Sequence, residues 1–236
     1  LQAYFRKMHH IGGVEALDAS ENSRLEGSAR QVVAEFDSES GQLRLLRAED
    51  DVVADFKRDE SSSRLRADTL ELSCQGAPPQ PQTGMAFGNV QLTVESSSAG
   101  KGDPGSASAS WPGRKELTAE RARFTFRPDG QSLEALDTVG EGKLVLAPSS
   151  PRFGERVITA GQLALGFDVQ TRLETLRGLS GTQVAFYPGR EAPPGSVPQE
   201  TSSQRLEATF DPATQILRAV DQIGDFARAR EGPVER

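Results

Sequence analysis

The side chains able to do chemistry are few, and their spacing is poor. His9 and His10 are the two histidines of the 236-residue chain. Adjacent histidines lack the spacing usual for a metal pair, and a Ser-His-Asp site would have to use one of them. Cys74 is the single cysteine, so no intrachain disulfide can form. It follows an alternating stretch and reads as a packing residue rather than a nucleophile. Gly140-Glu141-Gly142-Lys143 lacks the spacing of a phosphate loop. Glu49-Asp50-Asp51 reads as a solvated turn. The 34 acidic residues permit a carboxylate pair of the kind that cleaves glycans. Arg121 and Arg123 fall on a polar face as solvated cations, with contact to phosphates as the alternative reading. No catalytic residue, cofactor or metal is expected.

Composition favours much surface per residue. Hydrophobic residues make up 36% and aromatics 6%, with 23 Gly and 14 Pro. This suits a thin, turn-rich β structure better than a compact α/β enzyme. The net charge of -7, without a cluster of Lys and Arg, argues against a nucleic-acid partner. No run reaches the roughly 20 apolar residues of a membrane-spanning helix. The chain reads as a segment of a longer protein, with any signal or anchor outside it.

The elements that must position these residues are written as a repeat. A polar residue, an aliphatic, any residue and then Ala or Gly occur at Arg24-Leu25-Glu26-Gly27, Arg64-Leu65-Arg66-Ala67 and Glu116-Leu117-Thr118-Ala119. The pattern returns at Val157-Ile158-Thr159-Ala160 and Arg205-Leu206-Glu207-Ala208. Such spacing implies a stacked array. Each opening leads into period-2 alternation. Val32, Ala34 and Phe36 alternate with polar residues, as do Leu70 and Leu72. Ala122, Phe124 and Phe126 do the same, and Leu163, Leu165 and Phe167 follow. Alternation of this kind marks strands with one buried face.

The parity of the apolar positions flips inside the first four copies. Leu117 and Ala119 are odd, but Ala122, Phe124 and Phe126 are even. Ile158 and Ala160 are even, but Leu163, Leu165 and Phe167 are odd. One face cannot carry both sets of a straight strand, so a bulge or corner is predicted between them. The fifth copy reaches Phe210-Asp211 without a flip. Turns are predicted at 37–41, 128–130, 168–171 and 211–214 from their Asp, Pro and Gly content.

Return strands follow. Leu133-Glu134-Ala135-Leu136 matches Leu173-Glu174-Thr175-Leu176, and Gly142-Lys143-Leu144-Val145-Leu146 loosely matches Gly181-Thr182-Gln183-Val184-Ala185-Phe186. Counterparts are Leu43, Leu46, Val53 and Phe56 in the first unit, and Ile216, Ala219, Ile223 and Phe226 in the last. Three regions are predicted. Residues 1–75 hold β repeats, 76–115 a Gly/Pro/Ser-rich insertion with one strand at Asn89 to Val94, and 116–236 further repeats. A Pro-rich loop at 188–203 interrupts the last. Trp111 sits in the insertion as an incidental residue.

These openings, the Phe-Asp strand ends and the Leu-x-x-Leu returns resemble the OstA-like domains of the lipopolysaccharide-transport (Lpt) bridge. The resemblance is clearest from Leu117 to Phe186. It implies an all-β fold of antiparallel strand pairs, an open, twisted β-jellyroll shaped like a folded taco. It implies a periplasmic location between inner and outer membranes, with lipopolysaccharide as partner, its lipid A acyl chains lying between two sheets. It also implies edge-to-edge pairing with other bridge components. The implied groove lining is Val32, Phe36, Phe56, Leu70, Leu72, Phe124 and Phe126 from the first units. From the later ones come Leu144, Leu146, Leu163, Leu165, Phe167, Val184 and Phe186. The same side chains would equally fill a closed sandwich core. A structural or adhesive β-repeat surface protein and a glycan-acting β-helix enzyme remain the other readings.

Overall fold

The computed structural model describes residues 7–20, 23–58, 61–96, 114–130, 132–148, 154–193, 195–211, 217–224 and 227–230. Its strands are β1 (Lys7–Ser20), β2 (Ser23–Phe36), β3 (Leu43–Arg58), β4 (Ser61–Gln75), β5 (Gln80–Ser96), β6 (Arg114–Phe126) and β7 (Leu133–Thr138). They continue as β8 (Gly142–Ala147), β9 (Glu155–Phe167), β10 (Leu173–Tyr187), β11 (Gln199–Ser203), β12 (Arg205–Phe210), β13 (Leu217–Ile223) and β14 (Ala227–Arg230). The fold is all-β, and every pairing is antiparallel. Neighbours in space are mostly neighbours in sequence, as in a meander.

The sheet is folded along a crease. Register shifts fall at mid-strand, between Ser28 and Gln31, Glu49 and Val52, Arg66 and Thr69, Phe87 and Val90, and Leu179 and Thr182. Four of them fall where the parity flips, in β2 and β4 and beside β6 and β9, so the predicted bulge or corner is present in each of those units; the shift at Glu49 lies in β3, where no flip was predicted. Left-handed backbone gathers there too, at Asp50, Asp51, Gly88, Asn89, Ser180 and Gly181. Asp and Asn tolerate that conformation better than most residues, and Gly adopts it freely. Glu49-Asp50-Asp51 is therefore a bend inside β3, with Asp50 and Asp51 exposed, and not a turn between strands.

The crease divides the sheet into two leaves. The first holds β7, β12, β13 and the halves of β2–β6, β9 and β10 nearest the turns at 37–41, 128–130 and 168–171. The second holds β8, β11, β14 and the other halves. Where β6 pairs with two short strands, β7 covers Ala122–Phe126 and β8 covers Arg114–Ala119. Strands β11 and β12 split across β10 in the same way. The fifth sequence opening, Leu206 to Ala208, thus starts beyond the crease, in the first leaf, which explains why it carries no flip.

One apolar rung crosses each leaf. In the first, Ala34, Leu46, Leu72, Gly84, Phe124, Leu136, Leu165, Leu176, Ala208 and Val220 are successive cross-strand partners. In the second, Gly27, Ala54, Leu65, Leu92, Leu117, Leu144, Ile158 and Val184 are. Side chains from both rungs join one buried cluster, so the leaves face each other as in a jellyroll. The row beside the crease is small: Ala86 and Ala122 in the first leaf, Ala119, Gly142 and Ala160 in the second. A Cβ on Gly142 would lie 2.7 Å from Thr138 Cγ2. The Ala or Gly that closes the opening motif is needed because the leaves converge there.

The turns at 37–41, 128–130 and 168–171 follow the sequence closely. Asp37 Oδ1 accepts hydrogen bonds from the N–H groups of Glu39 and Ser40, and Asp168 Oδ1 from those of Gln170 and Arg172. Asp129 does the same for Ser132. These donors hold the Asp37 carboxyl below its ordinary range.

Two stretches read as loop-like insertions contain strands. The stretch read as an insertion from residue 76 contains all of β5, seventeen residues paired to β4 on one side and β6 on the other. The stretch read as a Pro-rich loop ends in β11. Trp111, Ile216 and Phe226 lie outside the described residues, as do the turn predicted at 211–214, from 212 on, and the side chains of His9 and His10.

Candidate functional site

The site is built from the inner faces of the two leaves. A cavity of about 380 Å³ opens between them over β3–β6. Leu46, Leu70, Leu72, Phe124 and Phe126 line it from the first leaf, and Ala54, Phe56, Leu65, Leu92 and Val94 from the second. Phe167, from β9, closes it toward the core. No charged side chain is among the lining residues; the polar contributions come from Ser63, Thr171 and Cys74. The Cys74 thiol is buried and its pKa is raised by that burial, which makes it a weak nucleophile.

The fourteen residues expected to line a groove are not placed alike. Phe56, Leu70, Leu72, Phe124, Phe126 and Phe167 line the large cavity. Leu146 and Val184 line a second one of about 210 Å³ with Ile158, Phe210 and Leu217. Leu144 and Leu165 touch only a narrow void between the two leaves. Leu163 is wholly buried and its N–H donates to Thr138 Oγ1 at 2.9 Å, so it belongs to the closed core beside the crease. Val32 and Phe36 are half-buried and line none of these cavities. On β2 the buried residues are Ala29 and Val33, of opposite parity. Phe186 is half-buried with its ring under the Arg156 guanidinium, 6.0 Å from carbon to centroid. It is a platform rather than open lining.

Of the return-strand positions, Leu46 and Phe56 face inward, whereas Ala219 and Ile223 are exposed. Arg121 and Arg123 are exposed on the outer face of β6. That face carries charge ladders, such as Arg47 with Glu49 at 2.7 Å and with Glu71 at 3.4 Å. A polar depression of about 320 Å³ also lies there, lined by Asp55, Glu95 and Arg114 among others. Asp55 is engaged by Arg64 through two hydrogen bonds, at 2.6 and 3.1 Å.

Two inward cations were not among the expected site residues. Lys115 shares the parity of Leu117, and Arg156 that of Ile158, so the alternation places both inside. Lys115 is 5% exposed. Burial lowers its pKa from 10.5 to about 8, and it also lowers that of Arg156. Among the described residues no group of three or more His, Cys, Asp or Glu is placed to hold a metal ion. Among the described residues no helix is long and apolar enough to cross a membrane. No family model, curated protein or solved structure matches the chain.

Proposed function

We propose that the chain holds lipid acyl chains between its two leaves, as a segment of a periplasmic lipopolysaccharide-transport bridge. The observation that carries this reading is the cavity lined from both leaves without a single charged side chain. Its 380 Å³ accommodates about a dozen groups of water or methylene size at roughly 30 Å³ each. Burying that many methylenes yields on the order of 10 kcal/mol, at about 0.8 kcal/mol per CH₂, before the entropic cost of binding. Recognition of this kind requires no directional polar contact, which is why a row of Leu and Phe suffices. Phe56 and Phe126 are half-buried on opposite leaves and stand where a chain would enter.

The ends of the sheet support assembly. Among the described strands, β1 pairs only with β2, and β13 only with β12. Val220 and Ile223 on β13 are about half exposed. Strand edges with unpaired backbone groups accept further strands, so bridge components would join there and extend the groove.

The test is site-specific photo-crosslinking in cells that make lipopolysaccharide, with the probe at Phe126, Phe56 or Arg123. Adducts at the two Phe positions and none at Arg123 are expected. Folded protein without a lipid adduct at either Phe would sink the reading and favour a structural β-repeat.

A further inference from the structure

The two apolar rungs divide the interior in the same places. On the second-leaf rung, Leu92 lines the large cavity, Leu117 and Leu144 line the narrow void, and Ile158 and Val184 line the second cavity. On the first-leaf rung, Leu72 and Phe124 line the large cavity, and Ala208 and Val220 line the second. Between those pairs stand Leu136, Leu165 and Leu176, at most 5% exposed. Leu117 and Leu144 on the other leaf are 1% exposed. A wall of leucines thus crosses the space between the leaves. It leaves the 210 Å³ cavity as a compartment of its own at the β12–β13 end of the sheet, with the half-exposed Val220 at its rim.

The second cavity has the character of a hydrocarbon site. Leu146, Ile158, Val184, Leu206, Phe210 and Leu217 line it, and Arg156 is the single charged residue on its border. A space of this size lined by Leu, Ile and Phe offers water too few polar partners, so it stays dry and takes apolar ligands. At roughly 30 Å³ per group it holds about seven methylenes, against about twelve in the large cavity.

We propose that the interior holds two separate acyl-chain sites, and that the second, between β8–β10 and β12–β13, takes one short chain of about seven carbons. This rests on the acyl-lipid reading above. It replaces one continuous groove by two compartments, so that two chains bind at once, each limited by the length of its own compartment.

Monoacylglycerols with about six to about fourteen acyl carbons, each below its micellar concentration, are titrated into the full chain with its Leu and Val methyl groups labelled for NMR. The methyls of Leu206 and Leu217 report the second site, and those of Leu70 and Leu72 the first. Affinity at each site should rise about fourfold per added methylene. The rise should stop near about seven carbons at the second site and continue to about twelve at the first. Ala208→Leu enlarges a side chain on the wall of the second cavity by an isopropyl group. It should bring that site's limit down by about three carbons and leave the first unchanged. Val184→Trp, which fills the second cavity, should silence Leu206 and Leu217 alone.

A single limit, with both sets of methyls following one dissociation constant, would mean a continuous groove and overturn the two-site assignment. So would Leu206 and Leu217 staying unmoved while Leu70 and Leu72 respond, a result that leaves the acyl-lipid reading intact. If no methyl moves at any chain length, the acyl-lipid reading itself fails.

Discussion

The middle of the sheet and its β3–β5 region are written in the same alternating pattern but pack differently. Over β6–β10, Leu117, Leu136, Leu144 and Leu163 are wholly buried, and the leaves touch. Over β3–β5, Leu46, Phe56, Leu70 and Leu72 are half-buried around an open cavity. Alternation specifies which face is apolar. It does not specify how near the opposite leaf comes. That distance depends on whether facing positions carry large side chains or small ones. Ala54, beside Leu65 on the second-leaf rung, is smaller than Leu144 on the same rung and leaves room there, whereas the space over Gly84 is taken by Leu72 and Phe124, with side-chain carbons 2.8 and 3.6 Å from where a Cβ would sit.

The largest effect should come from cutting a side chain out of the closed region. Leu144→Ala removes a residue that is 1% exposed from between Leu117 and Ile158 on its rung. A loss of about 3 kcal/mol is expected in urea unfolding, within the usual range for a buried leucine. A loss under about 1 kcal/mol would mean that the middle of the sheet is as open as the cavity region.

Lys115 sharpens the same contrast through pH. Leu92, Val94, Leu117, Leu144, Leu165, Phe167 and Leu173 line the void with it, and none of them titrates. The nearest inward charge on its rung is Arg156. Its folded pKa is about 8 against an ordinary 10.5. Between those values the unfolded chain binds the extra proton, so stability rises with pH across that window. Below about pH 8 the full cost of burying the cation is present, at most about 3 kcal/mol. Lys115→Met should be more stable than the unaltered chain at pH 7, and the difference should shrink toward pH 10.5. A difference independent of pH would place the ammonium in solvent.

At the crease, Thr138 spans the break between β7 and β8. Its hydroxyl donates to Gly140 O and accepts from the Leu163 N–H, each at 2.9 Å. Thr138→Val keeps the shape and leaves two backbone groups without that partner, at a cost of about 1–2 kcal/mol. Leu163 is in the buried cluster, so exchange of its amide hydrogen should also quicken. Unchanged exchange would show that the crease holds without this residue.

Much of the crease was legible because a side-chain period of two leaves no freedom. If Leu117 and Phe124 both face the core, the strand must break between them, and the parity flips mark four such breaks, each matched by a register shift. The turns were legible because an Asp that caps its own backbone, as Asp37 and Asp168 do, is a local device. Strand β5 was hidden because Pro81, Gly84 and Gly88 resemble a loop in composition. Pairing on both sides overrides that preference, and Pro81 is accommodated next to a register shift between Ser73 and Cys74. Within the candidate site, six of the expected residues reached the large cavity, while Leu163 did not. Inward direction was readable at each, but openness was not. The two cations were overlooked because charge was equated with the outer face, although their parity pointed inward.

The smallest effect on stability should come from the open region. Leu72 lines the cavity and is half-buried. The empty space beside it is already present, so Leu72→Ala deletes transfer energy without creating a new enclosed void. A loss of about 1 kcal/mol is expected, well under that of Leu144→Ala. Ligand response should show the reverse order. A saturating amphiphile with a single acyl chain should raise the Tm of the unaltered chain, since binding to the folded state alone is stabilising. Leu72→Ala should blunt that rise, because the deleted methyl groups face the occupant. Leu144→Ala should lower the starting Tm and leave the increment nearly intact. If Leu72→Ala instead costs as much as Leu144→Ala and leaves the increment untouched, then Leu72 is core, the leaves close over β3–β5 in solution, and the two regions do not differ.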